Sequence, residues 1–458
     1  MIYRYLYSRL IEWKNSENRK PLILRGARQT GKTTLVNEFG QEFDQYLYFN
    51  LEKDMDKEIF KSVSNLEKCI PIMFLSRNKI LDKKRSTLIF IDEVQEAPAI
   101  IESLRYFFED YNYLHIIIAG SLLEFALAKI EKTPVGRVEY MELHPLNFNE
   151  FLHGMSNQSV LNALNEIPIN NDVLPIVFPL FHDFAMIGGM PEIMANFLKN
   201  KNVTVLLKLY ASILESYKSD VEKYAKNESQ KLIIRHIIDT AAYEVDHRIQ
   251  LNKFGGSSFN SREIKEAMTT LEKARYLELV YPTTQVIPPG SSDYNKRPRL
   301  HLLDVGLQNY QLALFQELLQ LSDLNHLTRG SLVQQVVTQE IKSLAYLPSK
   351  KLKFWVREEK NASSEVDLVY PYKQYLIPIE FQAGATGTLR SLHEFMDRTN
   401  HHFAIRFYGG RFSIDKLTTR LGKEYLLLNL PYFLAAGIEN YITWFLAEYP
   451  GIESYQKR

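Results

Sequence analysis

Residues 26–33 read GARQTGKT, and residues 88–93 read LIFIDE. In the first stretch Gly26 and Gly31 let the backbone curl so that its N–H groups converge on one anion, and Lys32-Thr33 follows directly. That set suits a nucleoside triphosphate: backbone amides cradle phosphate oxygens, Lys32 bridges the β- and γ-phosphates, and the Thr33 hydroxyl meets Mg2+. The apolar run PLILR precedes the loop and TTLVNEF follows it, so the loop joins a strand to a helix whose N-terminus favours anions. Gly26, Ala27, Arg28, Gln29, Thr30, Gly31, Lys32, Thr33 and Thr34 are therefore expected against the nucleotide. LIFIDE adds two carboxylates at the end of a buried strand. Asp92 there can hold Mg2+ through its water shell, and Glu93 can orient and deprotonate an attacking water. ATP and Mg2+ are the expected cofactors.

Two more residues fall near this site by pattern. LHIIIAGS ends on Ser121, either a polar group level with the phosphates or a plain cap for the helix LLEFALAKI. TPVGRVEY carries Arg137, either a γ-phosphate contact or a structural partner for a carboxylate. Lys32, Glu93, Ser121 and Arg137 make up the expected catalytic set.

A second constellation lies near the C-terminus, where EVDLVY and YLIPIEFQ are joined by PYKQ in the pattern of a hairpin. Pairing Tyr370 with Tyr375 sets Asp367 opposite Pro378, which makes Asp367 and Glu380 diagonal neighbours on one face. Glu340, on the preceding helix, is a third candidate ligand for a second metal. The set resembles the D…(D/E)-x-K nuclease site, with Gln382 where that pattern has lysine. Lys353 and Arg357 are the nearest cations in sequence to make up the charge.

The elements that must position these residues follow from periodicity. Apolar runs at PLILRG, YLYFNL, STLIFID, LHIIIAG and VEYMEL alternate with helical stretches, which predicts an α/β domain with a parallel sheet over 1–150. A helical lid or linker region follows over 151–245, including the irregular stretch SNQSVLNALNEIPINNDVLPIV, read as an insertion or linker. Over 246–325, Asn260 and Glu263 form a capping box. The sequence then runs helix, YLELVYP, loop, RLHLLD, which is the outline of a winged helix. Arg262, Lys265, Lys273 and Arg275 on or beside that helix, with Lys296, Arg297 and Arg299 on the wing, could neutralise DNA phosphates. Winged helices also contact proteins, and both partners stay open. Residues 326–458 return to α/β.

RYLYSRLIEW, LILRGARQTGKTT, LIFIDEVQEAP, IIIAGSLLEF, PVGRVEYMELHPLNFNEFL and IGGMPE occur in the order found in a bacterial and archaeal family of AAA-type ATPases. RPRLHLLDVGLQNY, and EVDLVY followed by IPIEFQAG, resemble that family's tail, a domain of unknown function. The resemblance implies a P-loop core with an extra strand between the two Walker strands, a winged helix, and a restriction-endonuclease-like terminal fold.

Lys+Arg 55 against Asp+Glu 54 leaves a net charge of +1, which argues neither for nor against nucleic acid. The single cysteine, Cys69, excludes an intrachain disulfide and a cysteine zinc cluster. The apolar C-terminal stretch is broken by Asn429, Pro431, Glu439 and Asn440, so a strand and a buried helix are expected there. No membrane partner and a cytoplasmic location are expected. The expected function is Mg2+-dependent ATP hydrolysis that moves the attached winged-helix and nuclease-like domains, on DNA or on a protein partner. Two alternatives stay open: a slow nucleotide-gated signalling or scaffold switch, and an ATP-dependent DNA nuclease.

Overall fold

The computed structural model describes residues 2–128, 130, 136–320, 330–347, 351–357, 364–382 and 389–455. The boundary expected at 325/326 and the last two residues of IPIEFQAG lie outside the described residues.

The N-terminal sheet has strands β1 (Leu22–Arg25), β2 (Gln45–Asn50), β3 (Thr87–Asp92), β4 (Leu114–Ala119) and β5 (Glu139–Glu142). Their order is β2-β3-β4-β1-β5, and every pairing is parallel. β4 therefore lies between the loop-bearing β1 and the carboxylate-bearing β3. Parallel strands are covered on both faces, which is why β3 and β4 read as near-continuous apolar runs and are buried at every position. Each fully buried Leu, Ile or Phe there contributes about 1.5–3 kcal/mol relative to exposure. Because all five strands run the same way, the carboxyl ends of β1, β3 and β4 share one edge, where ligands of open α/β sheets bind.

The stretch expected to be an insertion or linker is not a loose linker but packed structure. Gln158–Asn165 and Leu174–Ile187 are helices, and Val160, Leu161, Leu164, Val177, Phe181 and Phe184 enter the large central core. Apolar residues at helical spacing outweigh the local polar density that suggested a linker.

Two stretches far apart in sequence, IGGMPE and RLHLLD, meet at Asp304. Its carboxylate accepts from the backbone N–H of Gly189 (2.6 Å), Gly306 (2.9 Å) and Leu307 (3.2 Å), and from Gln339 Nε2 (3.0 Å). Gly188 has φ +66°, and a Cβ there would stand 2.3 Å from Asp304 Oδ1, so only glycine fits.

Helix Ser261–Lys273 carries the expected capping box and is followed by β6 (Leu277–Val280) and β7 (Arg299–Leu302), paired antiparallel. The C-terminal sheet has β8 (Lys353–Val356), β9 (Glu365–Tyr372), β10 (Tyr375–Gln382), β11 (Phe403–Tyr408), β12 (Ser413–Thr418) and β13 (Glu424–Pro431). Its order is β12-β13-β11-β10-β9-β8, with β10-β11-β13 parallel and the rest antiparallel. β13 and the helix Ile438–Glu448 account for the apolar C-terminal stretch. Among the described residues no helix is long and apolar enough to cross a membrane.

Candidate nucleotide site

The loop leaves β1 at Arg25 and enters helix Lys32–Phe39 through Gly31, which caps it in the left-handed region at φ +91°. Gly26 is pinned by its neighbour strand: a Cβ there would lie 2.6 Å from the Leu143 carbonyl oxygen. Lys32 is buried, and its Nζ donates to the carbonyls of Gly26 and Ala27, each at 2.9 Å. Burial pulls its pKa down to about 8, against the opposing charges of Glu93 and Asp92, while Arg275 and Arg28 lower it further. A lysine held over the loop with only carbonyl partners among the described residues is placed to bind a strong anion.

Across the edge, Thr33 Oγ1 donates to Asp92 Oδ2 at 2.6 Å. A hydroxyl and a carboxylate that close form the hard-oxygen pair that Mg2+ prefers, so the residues present fit that ion. Burial raises the Asp92 pKa, and the Thr33 hydrogen bond opposes the shift.

Glu93 follows in the left-handed region, φ +54°. Its Oε2 accepts from Gln95 Nε2 at 2.6 Å and from the Ser121 N–H and Oγ, both at 3.3 Å. Ser121 therefore stands at the edge that carries the loop, and its partner is Glu93. Neither open reading of it, phosphate contact or plain helix cap, anticipated that bond.

Arg137 is elsewhere. β5 runs parallel to β1 with Glu139 opposite Leu22 and Glu142 opposite Arg25. Arg137 precedes Glu139 and so stands at the amino edge, roughly 10 Å or more of strand from the loop. Its Nε donates to Glu109 Oε1 at 2.7 Å. A γ-phosphate contact within its own chain does not fit that position; the ion pair does.

Residues outside the motif hold the loop. Arg4 donates through Nη1 to the Thr30 carbonyl (2.8 Å) and through Nε to Glu150 (3.2 Å). Tyr217 OH donates to the Arg28 carbonyl (2.9 Å), and the Arg28 guanidinium pairs with Asp220. Arg275, expected near DNA, instead pairs with Glu142 and with Glu124 (3.1 Å), the same carboxylate oxygen that Arg25 meets at 3.3 Å. Lys273 also turns inward, over the Phe125 ring. The left-handed backbone at Arg275, φ +58°, ends the helix and swings that side chain towards the N-terminal sheet. Nothing in the local sequence signals these contacts, because each partner comes from a distant element.

Of the C-terminal carboxylates expected together, Asp367 and Glu380 are neighbours across β9 and β10, and Glu340 does not join them. β9 and β10 pair Tyr372 with Tyr375 and Leu368 with Ile379. The hairpin turn is Lys373-Gln374, with Lys373 left-handed at φ +50°. The register is thus shifted by two residues from Tyr370–Tyr375, and it sets Asp367 opposite Glu380. Glu340 is not part of that group: both its oxygens accept from the Phe148 N–H (3.2 and 3.1 Å). Among the described residues no three His, Cys, Asp or Glu side chains are grouped to hold a metal. Arg299, expected on an exposed wing, is buried among Asp246, Glu365 and Asp367. Beside Gln382 the cation is Arg406, 3.3 Å from Gln382 Oε1. Lys353 donates to the Gly290 carbonyl, and Arg357 pairs with Glu394.

Residues 18–152 match the AAA domain family. Both motif segments and all five N-terminal strands fall inside that span. Residues 179–318 and 329–421 match two domains of unknown function, DUF8612 and DUF4143. An uncharacterized protein of Methanocaldococcus jannaschii is 23% identical over 427 residues, covering 90% of this chain and 87% of that one. One of Haemophilus influenzae is 22% identical over 330 residues, covering 68% and 74%. Among solved structures, a Walker-type ATPase of Pyrococcus abyssi gives a TM-score of 0.42 at 14% identity, covering 68% of this chain and 96% of that one. The Aeropyrum pernix Orc1 protein in complex with DNA gives 0.30 at 13%, covering 68% and 93%. The N-terminal α/β domain, with its glycine loop, lies within the span that matches the AAA domain family.

Proposed function

We propose that this protein is a Mg2+-dependent ATPase whose turnover changes how the helical and winged-helix-like segments sit on the nucleotide loop. The observation that carries this reading is the 2.6 Å contact of Thr33 with Asp92, set between the buried Lys32 and Glu93. Lys32 bridges the β- and γ-phosphates, Thr33 and Asp92 hold Mg2+, and Glu93 takes the proton of the attacking water. The metal, when bound, neutralises charge that builds on the phosphate oxygens. The coupling is supported by Arg4, Tyr217 and Asp220, which tie Thr30 and Arg28 of the loop to the rest of the chain.

We assign the partner on the same grounds. With Lys273, Arg275 and Arg299 engaged inside the molecule, only Arg262, Lys265 and Arg297 of the candidate DNA cations are exposed. Arg262 also pairs with Glu266 at 3.3 Å. So sparse a cationic face favours a protein partner over duplex DNA.

The test is phosphate release by wild type, Lys32→Ala and Glu93→Gln, with and without duplex DNA. Lys32→Ala should be inactive, and Glu93→Gln should bind ATP but turn over at least about a hundredfold more slowly. Lys32→Ala hydrolysing ATP near the wild-type rate would falsify the site, and strong stimulation by duplex would replace the protein partner with DNA.

A further inference from the structure

The hydrogen bonds on Glu93 all fall on one oxygen. Oε2 takes three donors, from Gln95 Nε2 and from the Ser121 N–H and hydroxyl, whereas Oε1 takes none among the described residues. A carboxylate accepts only, so the Gln95 amide must present its nitrogen to Glu93. That choice sends Gln95 Oε1 into the protein, where it is buried with no hydrogen-bond partner among the described residues. It lies 2.2 Å from where a Cβ on Gly120 would stand, so the amide occupies room that only glycine leaves at that strand end. Buried acceptors are nearly always paired, and one left unpaired costs free energy. A glutamine kept in this pose is therefore being used for its donor.

We propose that Gln95 is a positioning residue for ATP hydrolysis: together with Ser121 it fixes the Glu93 carboxylate through Oε2 and so presents Oε1 to the attacking water. This rests on Glu93 being the base. In this role Gln95 acts through Glu93, by removing rotational freedom from the carboxylate that meets the water. A base held in one orientation keeps the near-attack geometry on which much of a rate enhancement depends. The backbone contributes too, since the left-handed Glu93 aims its side chain back towards Ser121 at the tip of the next strand.

The role predicts a split between binding and turnover, and a specific non-additivity. Gln95→Ala removes the donor, and Gln95→Glu keeps the shape while replacing the donor with an acceptor. Both should lower kcat by about ten- to a hundredfold, the scale of correct orientation and proton transfer. Affinity for a non-hydrolysable ATP analogue should stay within about twofold of wild type. In a Glu93→Gln background neither change should slow turnover further, because a residue acting only through Glu93 has nothing left to position. Further slowing of the Glu93→Gln enzyme by the same factor, or loss of analogue binding, overturns the positioning role. So does wild-type turnover by Gln95→Ala and Gln95→Glu while Glu93→Gln is slow. If Glu93→Gln itself turns over like wild type, the base assignment falls and the positioning role falls with it. Gln95→Glu, having the same shape, keeps the test open should Gln95→Ala fail to fold.

Discussion

Arg299 of β7 donates to Asp367 of β9 at 3.3 Å, and the same guanidinium reaches Glu365 and Asp246. A fixed cation from one segment thus sits among the carboxylates of another, where a nuclease of the expected pattern would hold its metal. Asp367 is occupied from behind as well, since its Oδ2 accepts from the Phe381 N–H at 3.0 Å. Wild type should therefore not cut DNA in Mg2+ or Mn2+, and Gln382→Lys should not create cleavage while Arg299 stays in place. A nuclease assay on single-stranded, duplex and nicked DNA checks this. Robust cleavage that Asp367→Ala abolishes would sink it.

The chemistry of the N-terminal site was legible because it is local. Gly26 to Thr33 and Asp92-Glu93 each sit at the end of an apolar run, and alternating apolar runs and helices place both ends on one edge of a parallel sheet. What could not be read was set by side chains that cross between elements. The β9–β10 register turned on whether Lys373 takes a left-handed conformation, which its side chain does not announce. The inward turn of Arg275 and Arg299 depends on carboxylates far away in sequence, such as Glu142 and Asp367. Gln95 lies inside LIFIDEVQEAP, yet Ser121, with which it shares the Glu93 carboxylate, comes from the next strand.

The pairing of Arg275 with Glu124 and Glu142 should hold helix Ser261–Lys273 against the N-terminal sheet. All three side chains are largely shielded, with exposures of 21%, 25% and 14%. Arg275→Met leaves Glu142 without its cation and Glu124 with Arg25 alone, which should destabilise the interface by about 1–3 kcal/mol. Hydrogen exchange should speed up over 261–280 and 139–146, and adding Glu124→Gln with Glu142→Gln should restore part of the protection. Unchanged exchange in Arg275→Met would show that the contact carries no coupling.

Asp92→Asn preserves the shape and the Thr33 hydrogen bond but removes the charge that Mg2+ needs. The Mg2+ concentration for half-maximal turnover should rise at least about tenfold. Nucleotide binding in EDTA should be unchanged. A wild-type Mg2+ titration curve would dismiss Asp92 as a metal group.

Glu340, expected at a second metal, should instead govern how stability depends on pH. It is fully buried against the Phe148 N–H. Burial pushes its pKa up to about 8, only partly opposed by that hydrogen bond, and nearby Glu150 adds to the rise. In the unfolded chain a glutamate titrates near about 4.3. Between those values the folded protein keeps a proton that the unfolded chain releases, so raising the pH favours unfolding. The stabilising contribution is complete below about pH 4 and is lost as pH rises through about 8. Glu340→Gln keeps an acceptor for Phe148 and cannot ionise, so its urea midpoint should fall less than that of wild type between about pH 5 and 8. The difference between the two should widen steadily across that range. Parallel pH profiles for the two proteins would mean that Glu340 is ionised in the fold and paired by something other than Phe148.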